Sequence, residues 1–295
     1  MNMCAKIPSL KTTPIQMNKD SSQRFIFEKA TVRGEIVHLN ASYKTIMNQR
    51  AYPPLIQLLL GEALVSCALL AGSIKFEGEI SIQFQGDERF PLMLVHCDHE
   101  LHLRAYAKFQ EGTDIAFEDA FLNGTMVITI NQNKQTQTYQ SIVPIQSTSM
   151  AENLMGYLAQ SEQIPSHVWM AVNNESAAGM LLQRMPEKAS QPHEEFWNYA
   201  VTLGATITPD ELLSLDNTTL LHRLYHEAEL RLFEPRFILF RCTCNKNKIK
   251  HALQGIGEKE VQSIIDEKGV VETHCQFCNK QYLFDPIDAI LLFKE

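Results

Sequence analysis

The sequence predicts an α+β fold in three parts: a mixed sheet-and-helix domain over residues 1–178, a helical linker over 179–235 and a small cysteine-rich module over 236–295. Three observations lead there. Between Gln23 and Ala178, short runs alternate apolar and polar residues, with helical stretches among them but no strict strand–helix–strand rhythm. The chain then turns acidic, with capped amphipathic helical segments. Finally, four of the seven cysteines crowd into two tight pairs near the C-terminus.

In the first part, "RFIFEKATVRGEIVHL" and "EISIQFQG" read as half-buried strands, and "LMLVHC", "LHLRAYAKF" and "MVITI" continue the pattern. The run from Leu55 to Ile74 is long enough to cross a bilayer. It contains Gln57 and Glu62, however, and a central acidic residue costs ~2.5–3.5 kcal/mol on insertion. We therefore read Pro53–Ile74 as a buried helix and expect no membrane association. A second helix is expected at "SMAENLMGYLAQSEQ". The first twenty residues lack the charged, apolar and small-residue order of a secretory signal.

The linker carries four basic and nine acidic side chains. Its "QRMPEKASQPHEEFW" is loop-like. In "TITPDELLSL", Thr208 is placed as N-cap, Pro209 at the first helical position and Glu211 to complete a capping box. In the next segment Leu220, Leu221, Leu224, Tyr225, Ala228 and Leu232 share one helical face. Helices this short are marginal alone, so that face needs a surface to pack on, and the N-terminal sheet is the expected one. In the C-terminal module, "GEKEVQSIIDEKG" predicts a helix ending at Gly269, "VVETHCQFCNKQYLF" a hairpin with a cysteine pair at its turn, and "DPIDAILLF" a closing helix.

Cys242 and Cys244 are separated by one residue, Cys275 and Cys278 by two, and thirty residues lie between the pairs. Four cysteines so spaced suit a tetrahedral zinc ion with sulfurs at ~2.3 Å. A module of this size buries too little apolar surface to be comfortable without such a staple. On an extended strand Cys242 and Cys244 point to one side, with Cα atoms ~6.6 Å apart, at the outer limit for a disulfide. A bond between them would be strained and easily reduced. Bonds within the pairs would also close only tiny rings, which stabilise little. The spacing leaves two roles open: a closed structural centre, or one meant to give up its ion.

These residues, together with "RFIFEKATVRGEIV", "LLLGEALVSCALLAGSIKFEGEISIQFQG", "SEQIPS" and "AGMLLQRMPE", resemble the heat shock protein 33 family of redox-regulated holdase chaperones from about Arg24 to Phe293. The chain departs from the family pattern at "QGDERF" and "LRAYA". The resemblance implies a cytoplasmic, non-enzymatic protein that binds one zinc ion while reduced and is then inactive. It further implies that oxidation pairs neighbouring cysteines (Cys242–Cys244 and Cys275–Cys278), releases zinc and unfolds the module with its linker. The exposed surface then binds unfolding client proteins without ATP, with the protein acting as a homodimer.

Other functions find less support. A net charge of −8 does not suit a nucleic-acid binder. A zinc-ribbon protein of that class would need Lys246, Lys248 and Lys250 to form a phosphate-contacting face. A dithiol oxidoreductase would need a thioredoxin-like setting for its CxxC pair. An odd number of cysteines does not suit a disulfide framework, and a reducing cytoplasm is the simpler setting. Cys67 is expected in the core and Cys4 in an N-terminal tail. Cys97, His99 and His102 are read as turn and core residues rather than as a second metal site, and His251 and His274 as surface residues. "GIGEKE" is read as a connection between helices, not a nucleotide loop.

Overall fold

A computed structural model describes residues 20–110, 124–132, 138–186 and 194–294. The strands β1 (Ser21–Phe27) and β2 (Val32–Leu39) form a hairpin, followed by helices α1 (Ala41–Met47) and α2 (Pro54–Ser73). Five strands come next: β3 (Gly78–Gln85), β4 (Leu92–Asp98), β5 (His102–Lys108), β6 (Thr125–Gln132) and β7 (Tyr139–Pro144). Helix α3 (Met150–Gln160) leads to a second hairpin, β8 (Ser166–Val172) and β9 (Ala177–Arg184). The linker supplies α4 (Glu194–Gly204), α5 (Pro209–Ser214), α6 (Asn217–Tyr225) and the short strand β10 (Leu230–Leu232), and the short strands β11 (Arg236–Phe237) and β12 (Leu239–Phe240) follow it. The C-terminal module consists of α7 (Lys246–Ile256), α8 (Glu258–Lys268), the hairpin β13 (Val271–His274) and β14 (Gln281–Phe284), and α9 (Pro286–Leu292).

Two six-stranded sheets organise the larger domain. The first runs β10-β1-β2-β9-β8, with β11 also on β1, and the second runs β12-β5-β4-β3-β6-β7. Helix α2 contacts strands of both sheets. It is therefore apolar on all sides, as a helix enclosed by protein must be. Among the described residues this is the helix with the length and composition to span a membrane, and here it is the central core element. Burial pushes the carboxyl of Glu62 up to about 7, toward its neutral form. Phe25 lies across Gly34 on the neighbouring strand, where a Cβ would collide with the ring.

The far face of the first sheet is covered by the linker. Leu220, Leu221, Leu224 and Tyr225 are buried in one cluster with Phe25, Phe27, Ile36, Met180 and Leu182, and Ala228 and Leu232 pack at its edge. The Tyr225 ring meets Phe27 edge-on at 5.1 Å, and its hydroxyl donates to the Ala200 carbonyl at 3.0 Å. The capping box is present: Glu211 N donates to Thr208 Oγ1 at 3.3 Å, and Thr208 N to Glu211 Oε2 at 3.1 Å.

The boundary expected at residue 178 falls inside β9, an interior strand of the first sheet. The sequence misleads there because β9 is covered on both faces, by α2 and by the linker helices, and so lacks alternation. The boundary expected at 236 is also displaced, because β11 and β12 belong to the two sheets of the larger domain. Part of the loop-like stretch before α4 lies outside the described residues, as does Cys4.

Candidate metal centre and its seam with the second sheet

Strand β12 runs parallel to β5, pairing Leu239 with His102 and Phe240 with Leu103, and Arg241 N donates to the Leu103 carbonyl at 3.0 Å. Cys242 follows at once. The first pair does not lie on a strand, as the spacing suggested. It sits in irregular chain between β12 and α7, where Asn245 caps the helix by accepting from Lys248 N at 2.9 Å. Helix α7 is joined to α8 through Gly257, within the "GIGEKE" stretch read as a connection between helices. The second pair is where the sequence places it, in the turn of the β13–β14 hairpin. Cys275 N donates to the Lys280 carbonyl (3.0 Å) and Asn279 N to the Cys275 carbonyl (2.9 Å), with Asn279 in the left-handed region at φ 53°. Helix α8 ends at Gly269, φ 73°, as expected.

All four sulfurs lie within 4.8 Å of one another. The Cys242–Cys275 sulfurs are 3.7 Å apart and the Cys244–Cys278 sulfurs 3.4 Å. A tetrahedron with ~2.3 Å metal–sulfur bonds has edges of ~3.8 Å, so the arrangement can hold a metal ion. The surroundings shift the thiols unequally. Burial and the neighbouring thiols push Cys242 up. Burial also raises Cys278. For Cys244, burial is outweighed by hydrogen bonds from Tyr282 and the adjacent thiols, which bring it down to about 7. Four sulfur anions this close repel one another unless a cation sits among them. Two of the nearby basic groups are engaged elsewhere: Arg104 on Glu79 and Lys246 on Asp288.

Tyr282 is a neighbour of the sulfurs that the sequence reading missed. Its hydroxyl donates to Cys244 Sγ at 3.1 Å from β14, within the module's small core of Leu253, Val261, Ile265, Val271 and Phe284. Partners of this kind orient ligands, and losing one typically costs ~10–100-fold in metal affinity. Tyr282→Phe keeps the ring and removes the donor. We expect it to weaken zinc binding by about tenfold or more, measured by competition with a chromogenic chelator, with the module still folded.

The residues between the cysteines reach the larger domain. Thr243 Oγ1 accepts from Arg104 at 2.8 Å, and Gln276 Oε1 accepts from Arg50 at 2.7 Å. The Phe277 ring lies edge-on to Tyr106 (4.9 Å) and His96 (5.4 Å), with the Arg104 guanidinium 4.8 Å from its centre. Arg104 and His96 both bind Glu79. Burial opposes the Glu79 charge, but these two partners win and hold its carboxyl at about 2.

The other candidates are placed as follows. Cys67 and Cys97 are fully buried, and burial raises both thiols. Asp98 closes the β4–β5 turn by accepting from Glu100 N, His102 N and His102 Nδ1, each at 2.9 Å. His274 is near Glu272 at 3.7 Å, and neither it nor His251 joins the four sulfurs. Lys246 pairs with Asp288 and Lys248 donates to Thr243, so two of the three lysines of the ribbon reading are spent within the module.

An α+β domain with a four-cysteine cluster beside its second sheet, able to hold a metal ion, is thus the class of protein that fold and site define. The model of the family described as Hsp33 protein matches residues 20–285. A 33 kDa chaperonin of Pseudomonas aeruginosa (strain LESB58) is 38% identical over 283 residues, covering 94% of this chain and 95% of that protein. One from Ectopseudomonas mendocina (strain ymp) is 39% identical over 281 residues, covering 93% and 95%. The crystal structure of the 33 kDa chaperonin (heat shock protein 33 homolog) from Thermotoga maritima superposes with a TM-score of 0.78 at 22% identity, over 93% of this chain and 98% of that one, and so shares the fold. The chain belongs to the Hsp33 family, a family of chaperones.

Proposed function

We propose that this chain is a redox-regulated, ATP-independent holdase: inactive while reduced and zinc-bound, and active toward unfolding client proteins once oxidised. The observation that carries the reading is the convergence of four sulfurs, from segments thirty residues apart, immediately after the strand that ends the docked linker. Cys242, Cys244, Cys275 and Cys278 would hold one zinc ion. When bound, zinc supplies the positive charge that keeps four thiolates together and ties their two segments. Two equivalents of a two-electron oxidant of the peroxide class, one for each cysteine pair, would each take two electrons and the pair's two protons, leaving Cys242–Cys244 and Cys275–Cys278 disulfides, with each peroxide reduced to two waters. The sulfurs then lack the charge to keep the ion, and the module loses the staple that ties its two cysteine segments together.

Before oxidation the closest sulfur contacts run between segments. Pairing within segments is nonetheless expected at the end point, because chain connectivity keeps those partners close as the module loosens, whereas the cross-segment partners drift apart. Peptide mapping of the fully oxidised protein should recover the two local disulfides. Dominant Cys242–Cys275 or Cys244–Cys278 cross-links would contradict the reading, since either would preserve the tie.

Release would pass directly to the linker. From Cys242 the chain runs back through β12, β11 and β10, all paired with strands of the larger domain, to the face of α6. Fraying from the module end removes these short pairings in turn. Undocked linker helices would expose both their apolar face and the sheet beneath. We place the protein in the cytoplasm, acting as a homodimer on unfolded polypeptides, with neither nucleic acid nor membrane as partner and no catalytic turnover. The test is suppression of client aggregation by reduced and by oxidised protein, with bound zinc measured in each. Activity only in the oxidised, zinc-depleted sample is expected; equal activity in both would overturn the switch.

A further inference from the structure

Strands β4 and β5 turn Val95, Cys97, Leu103 and Ala105 into the core. Their alternation therefore sends His96, Arg104 and Tyr106 to the outer face of the second sheet, where the Phe277 ring is seated. The surroundings of that ring are built without it. Arg104 and His96 are both held by Glu79 on β3, and Tyr106 stands opposite Leu94 in the β4–β5 register. Two aromatic rings, each roughly perpendicular to that of Phe277, and one guanidinium thus line a socket whose chemistry selects a ring.

We propose that this socket is a binding site for an aromatic side chain of an unfolding polypeptide, kept closed by the chain's own Phe277 until the cysteine module lets go. The inference rests on the chaperone reading above and names part of its client surface. Phe277 lies between Gln276 and Cys278 in the hairpin turn, so any change that frees that turn also frees its ring. Edge-on ring contacts and cation–π attraction depend on the face and edge of a ring, not on its neighbours in sequence. Aromatic residues are also largely buried in folded proteins, so a socket of this kind distinguishes unfolding chains from native ones. The same face continues past the ring along one row of cross-strand neighbours. Across the register Tyr106 stands beside Leu94, Leu94 beside Gln83, Gln83 beside Val127 and Val127 beside Ile142, which is 64% exposed.

The test uses the full-length chain, oxidised and zinc-free, and two fluorescent synthetic peptides of unfolded sequence, identical except that one phenylalanine in the first is alanine in the second. The wild-type chain is expected to bind the phenylalanine peptide about tenfold more tightly, the weight of one or two aromatic contacts. Tyr106→Ala and Arg104→Gln are expected to bind both peptides alike, and Tyr106→Phe to restore the preference. Because the readout is a difference between peptides, a general loss of stability does not imitate it. Phe277→Ala, reduced and zinc-loaded, should gain binding of the phenylalanine peptide alone. A wild-type chain that binds both peptides equally, or a Tyr106→Ala chain that keeps the preference, would overturn the socket and leave the chaperone reading standing. A wild-type chain that binds neither peptide and protects no client would overturn both.

Discussion

Replacing Leu224 with aspartate is expected to yield a protein that protects clients without any oxidant. Leu224 is 8% exposed and packs with Phe27, Leu182 and Tyr225 between α6 and the first sheet. Full burial of such a side chain contributes ~1.5–3 kcal/mol, and an unpaired carboxylate in its place adds a desolvation cost of at least similar size. Helix α6 has nine residues, too few to persist without its docking surface. The substitution lies far from the cysteines in the fold, so the reduced variant should retain one zinc ion per chain while its linker becomes sensitive to protease. Aggregation suppression by this reduced, zinc-loaded variant is the readout. A variant whose linker is cleaved readily but which protects no client would show that linker release is not the activating event.

Cys278→Ser should have the opposite starting point and the same end. Removing one of four thiolates leaves an incomplete shell around an ion that supplies ~10–16 kcal/mol of apparent folding energy in small zinc modules. The module's core is a single small cluster, so little else holds α7, α8 and the hairpin together. Zinc content should fall sharply, circular dichroism should show loss of the module's helices, and the linker should open without oxidant. Retention of full zinc affinity would mean that another group takes the vacant position, and His274, four residues away in the same hairpin, would be the first to examine.

The sequence made some of this legible and concealed the rest, for identifiable reasons. The cysteine hairpin, the Gly269 helix stop and the Thr208–Glu211 capping box were readable because each is set by residues within a few positions of one another. The apolar face of α6 was readable because helical periodicity survives when only one side is buried. Strand β9 was not, since burial on both faces erases alternation and lets a core strand pass for the start of a linker. The irregular path of Cys242 and Cys244 was hidden for another reason. Their spacing suits a strand, but the neighbouring Asn245 cap commits the chain to α7. The contacts of Tyr282 with Cys244 and of Phe277 with Tyr106 join residues 38 and 171 positions apart, and no local pattern encodes such pairs.

The central claim is that one event at four sulfurs controls a surface on the opposite sheet. It is tested most directly by following three quantities in a single oxidation: zinc released, hydrogen-exchange protection of the α6 amides, and suppression of client aggregation. The account predicts that α6 protection falls as zinc is released, that client protection rises over the same interval, and that dithiol reductant with added zinc reverses all three. Full client protection reached while the α6 amides remain as protected as in the reduced protein would contradict it.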